Sequence, residues 1–263
     1  TEELKMKFIR YKTKNNETKY GVLEQANLIT EITNTPFNNF NTTDTTHLID
    51  DVSILSPVTP SKIICVGLNY LSHIKEMGLA IPKSPMLFMK PITTLIDPNT
   101  PIIYPKIGQK VEYEAELTVV IGKPTRHVSE SNALNHVLGY TCGNDVSERV
   151  FQMQEMKSGA MLIGKGFDSF CPLGPVIETD LDPENVSVKA RLNGKEKQNG
   201  NTSDLLFSAA KLVSYISEAM TLMPGDVILT GTPSGVGPIS PGDKVEIEIP
   251  EIGILENDVT KEQ

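Results

Sequence analysis

The chain has 263 residues, 39% of them hydrophobic and 22% charged. It is long enough to bury a core without a metal or disulfide staple, and short for two full domains. With 24 Lys and Arg against 33 Asp and Glu the formal charge is −9, which argues against a nucleic-acid surface and against docking on anionic membranes, since both depend on basic side chains.

The first eight residues carry Glu2, Glu3, Lys5 and Lys7 and no apolar run, so no signal peptide is expected. No segment approaches the roughly 18 apolar residues of a membrane span. Cys65, Cys142 and Cys171 form no C-x-x-C pair. Reduced, buried thiols in a cytoplasmic protein are expected, and the sequons at Asn16, Asn41, Asn185 and Asn201 are expected to stay unused. Residues 6–11, 20–23 and 28–30 read as short strands after polar turns, and the Asn- and Thr-rich residues 33–47 as a loop. Pro57 and Pro60 bracket a connector. The division expected is a small N-terminal β-unit over residues 1–57 and a main domain over 58–263.

Beyond the connector, residues 63–66 read as a buried strand ending at Gly67. Residues 69–78 suit a short helix or a mobile loop, and residues 86–89 a strand stopped by Lys90-Pro91. The clearest strand is 111–122, where Tyr113, Ala115, Leu117, Val119 and Ile121 alternate with Glu112, Glu114, Glu116, Thr118 and Val120. Residues 130–138 suggest a short helix and 139–143 a strand end. Residues 205–220 have helical spacing, with Thr202, Ser203 and Asp204 as N-cap candidates. Residues 226–230 and 244–249 read as strands around a loop rich in Gly and Pro. Strands outnumber helices and no β-α-β alternation is present, so a strand-rich α+β fold is expected rather than a doubly wound sheet or a TIM barrel.

Three clusters carry chemistry. Glu112, Glu114 and Glu116 share one face of one strand, because side chains alternate with period two. Such crowding is relieved by solvent, by basic partners or by a hard divalent cation, and the strand alone leaves these open. For a cation, Asp145, at the end of the next strand, would be a third ligand. His73 and Glu76 share a helical face. They form either a surface ion pair or a general base whose imidazole is oriented by a carboxylate. Arg149, Gln152 and Lys165 would suit a substrate bearing carboxylates. The loop 231–237 is a tight turn or a backbone brought close to a ligand. Lys90 is ambiguous.

Taken together, KIICVGLNYLSHIKEM (62–77), LFMKP (87–91), VEYEAELTVVIGK (111–123), GYTCGNDVSERVFQ (139–152), GKGFDSFCPLGP (164–175), LNGKEKQNGNTSDLLFS (192–208) and MPGDVILTGTPSGVG (223–237) resemble the fumarylacetoacetate hydrolase family. The likeness is to its short members with acylpyruvase, oxaloacetate decarboxylase or 2-hydroxyhepta-2,4-diene-1,7-dioate isomerase activity. It covers nearly all of residues 61–250 and none of the first 57. It implies a mixed β-sandwich roll, usually in a homodimer, with Mg2+ or Mn2+ held by Glu114, Glu116 and Asp145. Glu112 is left as an outer or surface acid. The resemblance places His73 and Glu76 on a lid over residues 69–83, expected to close on ligand. It gives Lys165 a catalytic role and puts Arg149, Gln152 and Thr232 on the substrate. One departure is visible: Val150 stands where the family usually has Asp after the arginine, so the orientation of Arg149 must come from elsewhere. The expected chemistry passes through the metal-stabilised enolate of a small 2-oxo acid. Acylpyruvate hydrolysis is preferred, followed by oxaloacetate decarboxylation and dienedioate isomerisation. An inactive metal-binding scaffold is the alternative of another class.

Overall fold

The computed structural model describes residues 5–263; residues 1–4, with the charged Glu2 and Glu3, lie outside the described residues. One large mixed sheet organises the chain. From one edge, its strands run Thr42–Leu48, Leu28–Ile32, Thr18–Leu23, Lys7–Lys12, Cys171–Glu178, Val137–Asn144, Ala115–Ile121, Val227–Leu229, Ile63–Gly67 and Met86–Lys90. Neighbours along this path are antiparallel except Val227–Leu229 beside Ile63–Gly67, which are parallel. The N-terminal strands extend the sheet through Lys7–Lys12 on Cys171–Glu178.

A second sheet of five strands, Lys195–Asn201, Ser187–Leu192, Lys244–Ile249, Gly253–Lys261 and Ile102–Tyr104, packs on the middle of the first. Val188, Ala190, Val245, Ile247 and Leu255 share one core with Leu117, Val119, Cys142 and Val176. The alternation along Lys244–Ile249 puts its three apolar residues into that core and leaves Lys244, Glu246 and Glu248 half-buried. The result is the strand-rich mixed β-sandwich that the motifs imply.

Several local expectations change. The strand 111–122 is two: Val111–Tyr113 belongs to a small three-stranded sheet, Ala115–Ile121 to the large one, and Glu114 is the joint between them. Neither face of Ala115–Ile121 is wet, because the sheet is covered on both sides. The expected loop at 33–47 contains the polar edge strand Thr42–Leu48, whose ladder to Leu28–Ile32 outweighs the lack of apolar alternation. The helix expected at 205–220 is Ala209–Ala219, capped by Ser208 Oγ on Lys211 N–H. Thr202–Asp204 is a separate 3₁₀ turn. Of 130–138, only Glu130–Ala133 is α-helix. An unforeseen helix, Arg149–Met156, starts where Glu148 accepts from Phe151 N–H at 2.8 Å. No helix among the described residues is long and apolar enough to cross a membrane.

Candidate active site

Strand register brings the acids together. Ala115 pairs with Asn144, so Glu114 and Asp145 meet where the two strands end. Asp145 N–H donates to the Glu114 carbonyl at 3.0 Å, and Asn144 Oδ1 accepts from Glu114 N–H at 3.0 Å. Glu116 follows on the same strand. One oxygen each from Glu114, Glu116 and Asp145 lie within 4.8 Å of one another, and all three residues are buried.

Buried carboxylates need counter-charge. Lys165 Nζ bridges Glu114 Oε2 at 2.9 Å and Asp145 Oδ2 at 2.6 Å. Lys90 Nζ lies 2.5 Å from Asp145 Oδ1 and donates to the Val146 carbonyl at 3.0 Å. Arg149 pairs with the second oxygen of Glu114. Glu116 has no basic side chain in contact among the described residues; its Oε2 accepts Gly231 N–H at 2.7 Å. The charge states follow. Burial would raise Glu114, but Arg149 and Lys165 hold it well below the usual carboxylate range. Burial and the facing charges of Asp145 and Glu114 push Glu116 well up. Burial would lower Lys165, and Asp145 with Glu114 outweighs it and raises the ammonium. The donor set fits a hard divalent ion. Three carboxylates converge, and one of them lacks the cation its setting demands.

The orientation of Arg149 comes from Glu112. Arg149 Nε lies 2.5 Å from Glu112 Oε2, while Nη1 donates to Gln152 Oε1 at 2.8 Å. Glu112 is therefore no surface acid: it is 5% exposed. Burial would raise it, and Arg149 and Lys110 together draw it down. Gln152 turns its amide nitrogen toward Met161 Sδ, a weak acceptor at 3.5 Å. Thr232 has already given its hydroxyl hydrogen to the Ala115 carbonyl at 2.9 Å and accepts from Gln198 Nε2 at 2.7 Å.

The segment after Gly67 forms the helix Leu71–Met77, closed by Gly78 in the left-handed conformation. The sequence suggests few anchors here, yet Tyr70 and Ile74 are fully buried. Asn69 donates to the Phe207 and Thr230 carbonyls at 3.0 and 2.7 Å. Asp204, expected to cap the later helix, instead accepts from Ser72 N–H in the first turn of this one at 2.9 Å. His73 Nδ1 lies 3.0 Å from Glu76 Oε2, and Glu76 also faces Gly235 N–H at 3.3 Å. The loop 231–237 thus meets both clusters. At Gly231, with φ +104°, a Cβ would stand 2.8 Å from Asn69 Cβ, so only glycine brings this N–H to Glu116.

A cavity of about 90 Å³ joins the parts. His73, Glu114, Glu116, Asp145, Arg149, Gln152, Lys165 and Thr232 all line it, whereas Glu76 stands behind His73. Sequence reasoning left Lys90 ambiguous and Glu112 an outer or surface acid, and it missed Gln198. Lys90 signals itself only through its partner 55 residues away. Gln198 Oε1 fixes Ala115 N–H at 2.9 Å, and nothing in its strand Lys195–Asn201 announces a buried amide.

Residues 62–260 match the family model described as fumarylacetoacetate (FAA) hydrolase C-terminal, and residues 6–57 match one described as Rv2993c-like, N-terminal. The chain is 42% identical over 220 residues to oxaloacetate tautomerase FAHD2A, mitochondrial, of Homo sapiens, across 80% of this chain and 70% of that protein. The X-ray structure of 5-carboxymethyl-2-hydroxymuconate delta-isomerase from Mycobacterium smegmatis superposes with TM-score 0.90 at 43% identity, over 98% of this chain and 100% of that one. That of 2-hydroxyhepta-2,4-diene-1,7-dioate isomerase from Mycobacterium marinum gives TM-score 0.89 at 39% identity, over 98% and 99%.

Proposed function

The chain belongs to the fumarylacetoacetate hydrolase family, and on that footing we propose that it is a divalent-metal-dependent enzyme that cleaves an acylpyruvate by hydrolysis. The supporting observation is one cavity lined both by three converging carboxylates and by a histidine whose far nitrogen is held by Glu76. Glu114, Glu116 and Asp145 would hold Mg2+ or Mn2+, which when bound supplies Lewis-acid stabilisation of charge growing on the 2-oxo oxygen.

The chain's own residues account for the rest. With Nδ1–H donated to Glu76, His73 keeps Nε2 free to take a proton from water. The water oxygen bonds to C4. The C3–C4 bond breaks, its electron pair passing through C2 to the 2-oxo oxygen, and the proton held on His73 returns to C3. Pyruvate and a carboxylic acid leave. Lys165 and Arg149 bring positive charge to the substrate's carboxylate end, and Gln152 and Thr232 orient it. A cytoplasmic homodimer and a division of the chain at residue 57 belong to the same proposal. The change of matching family model between residues 57 and 62 supports the division.

A second reading has support from the relatives, whose names are an oxaloacetate tautomerase and two isomerases. His73 would then move a proton at C3, making or breaking a C3–H bond with no carbon–carbon bond broken. Tautomerisation of oxaloacetate was not among the sequence-based expectations. Oxaloacetate decarboxylation follows as a third reading. One panel assay with Mg2+ and with Mn2+ separates them, using acetylpyruvate, oxaloacetate, fumarylpyruvate and 2-hydroxyhepta-2,4-diene-1,7-dioate. Pyruvate and acetate from acetylpyruvate are expected. Faster enol–keto relaxation of oxaloacetate without cleavage of any acylpyruvate would install the tautomerase reading instead. A melting temperature raised by Mn2+ plus oxalate, with no 2-oxo acid consumed, would leave an inactive scaffold.

A further inference from the structure

We propose that Glu112 is a positioning residue: it keeps Arg149 from closing on Glu114 at two points, and so leaves that carboxylate available to the divalent ion. The inference rests on the metal-dependent reading above and deepens it. Strand register sets the arrangement. Val111 pairs with Glu148 and Glu112 with Ser147. Arg149 N–H donates to the Lys110 carbonyl at 2.9 Å, so Arg149 enters its helix beside the strand that carries Glu112. Its guanidinium is shared three ways. Nε lies 2.5 Å from Glu112 Oε2, Nη1 donates to Gln152 Oε1 at 2.8 Å, and Nη2 meets Glu114 Oε1. Val150, next in the helix, offers it no side-chain acceptor. Arg149 and Glu114 line the cavity and Glu112 does not, so Glu112 acts through the arginine.

Nε and Nη2 form one edge of a guanidinium, and such an edge fits a single carboxylate at two points. Here the edge is divided between two acids. Glu114 meets it through Oε1 alone, and its Oε2 is bound to Lys165 at 2.9 Å. Glu112 is buried, and its second oxygen lies 2.9 Å from Lys110 Nζ, so both of its oxygens are committed. With no charge at position 112, Glu114 is the one carboxylate left in contact with Arg149 among the described residues. A buried cation closes on the anion that remains to it. A two-point clamp on Glu114 would compete with the ion for the same oxygens. Glu112 thus raises the affinity of the site for the ion without touching it.

The test is Mn2+ binding to the full chain by calorimetry, with thermal melts of the metal-free variants to show that each is folded. Glu112→Gln keeps the shape and removes the charge. Its Mn2+ dissociation constant should rise about tenfold, the usual cost of losing a partner in the outer shell of a metal site. The loss should pass through Arg149. Arg149→Gln alone should bind Mn2+ at least as tightly as the wild type, and adding Glu112→Gln to it should change the constant by less than about twofold. Glu112→Asp keeps the charge and shortens the reach to Nε. It should weaken Mn2+ in the same direction, and it carries the test if Glu112→Gln does not fold. An unchanged constant in Glu112→Gln would overturn the proposal. So would an equal loss in the Arg149→Gln background, which would mean that Glu112 attracts the ion by charge alone. The expected cycle without cleavage of any acylpyruvate would support the positioning role and remove the hydrolysis. Cleavage with an unchanged constant in Glu112→Gln would do the reverse.

Discussion

The floor of the site and the lid over it are built from opposite materials. Glu114, Glu116 and Asp145 stand where strands of a sheet covered on both faces meet, and every residue of Ala115–Ile121 is buried. His73 and Glu76 stand on a seven-residue helix, too short to persist alone. Two buried side chains, Tyr70 and Ile74, and the side chains of Asn69 and Asp204 fasten it. Glu76 keeps 43% of its side chain in solvent. The carboxylates are thus tied to global stability, whereas the proposed proton-transfer pair rides on a short helix that is expected to open locally. Substitutions in the two regions should fail in different ways.

The largest effect is expected in the floor. Glu116→Gln keeps the shape and removes a charge from the proposed metal-ligand set. The value of kcat/KM should fall by about three orders of magnitude, or about 4 kcal/mol. Mn2+ is expected to raise the Tm of the wild type by binding the folded state, and that rise should shrink in the variant. Full activity of chelated wild-type protein would break the assignment of the floor to a metal.

Next comes the lid. His73→Ala should lower acylpyruvate hydrolysis by roughly 10²–10⁴-fold, the usual worth of a general base, and leave the Mn2+-dependent rise in Tm untouched. Any oxaloacetate decarboxylation should suffer less, because CO2 leaves without a nucleophile. Equal loss of both activities would mean that His73 protonates the enolate instead of activating water, and would move proton-transfer chemistry ahead of hydrolysis.

The same contrast explains what was legible in the sequence. Alternation revealed Ala115–Ile121 and Lys244–Ile249, because each has a face that must enter a core. It did not reveal the joint at Glu114, since period two is preserved while the backbone passes from one sheet to another. The edge strand Thr42–Leu48 is polar in all but its last residue and exists through its ladder. The helix Arg149–Met156 buries none of its side chains fully, so no apolar stripe marks it. Of the site, crowded carboxylates and H-x-x-E were visible as residue types, and the family motifs selected among their meanings. The partners Lys90 and Glu112 were not legible as such. Their importance lies in the charges they face, 55 and 37 residues away.

A pair of core truncations sharpens the comparison at smaller magnitude. Leu117 and Ile74 are equally buried, one beneath the floor and one beneath the lid. Leu117→Ala should lower global stability in urea by about 2–5 kcal/mol. Ile74→Ala should shift the urea midpoint less and chiefly accelerate hydrogen exchange of amides 71–78. Equal losses of global stability would show that the lid helix unfolds only with the sheet.

The smallest effect concerns the seam between the two regions. Asp226 is fully buried where the strand Val227–Leu229 begins, beside its parallel neighbour Ile63–Gly67, from which the lid segment departs. Its Oδ1 accepts Ser61 N–H at 3.0 Å, Ser61 Oγ–H at 2.7 Å and Lys62 N–H at 2.9 Å. Its Oδ2 accepts Met223 N–H at 2.7 Å and lies 2.6 Å from Lys62 Nζ. Burial would raise its pKa, but Lys62, Met223 N–H and Ser61 prevail and lower it. A carboxyl depressed by folding stabilises the protein fully above its unfolded pKa, about 3.9. That stability is lost as pH falls through the lower folded value. Asp226→Asn also turns an NH2 group toward donors that need an acceptor, so about 1–3 kcal/mol should be lost at pH 7. Urea titrations of both proteins from pH 7 down to pH 3 should show the gap narrowing only below about pH 4. A gap constant across that range would mean that Asp226 holds the two strands by shape alone and that its charge contributes nothing to the seam.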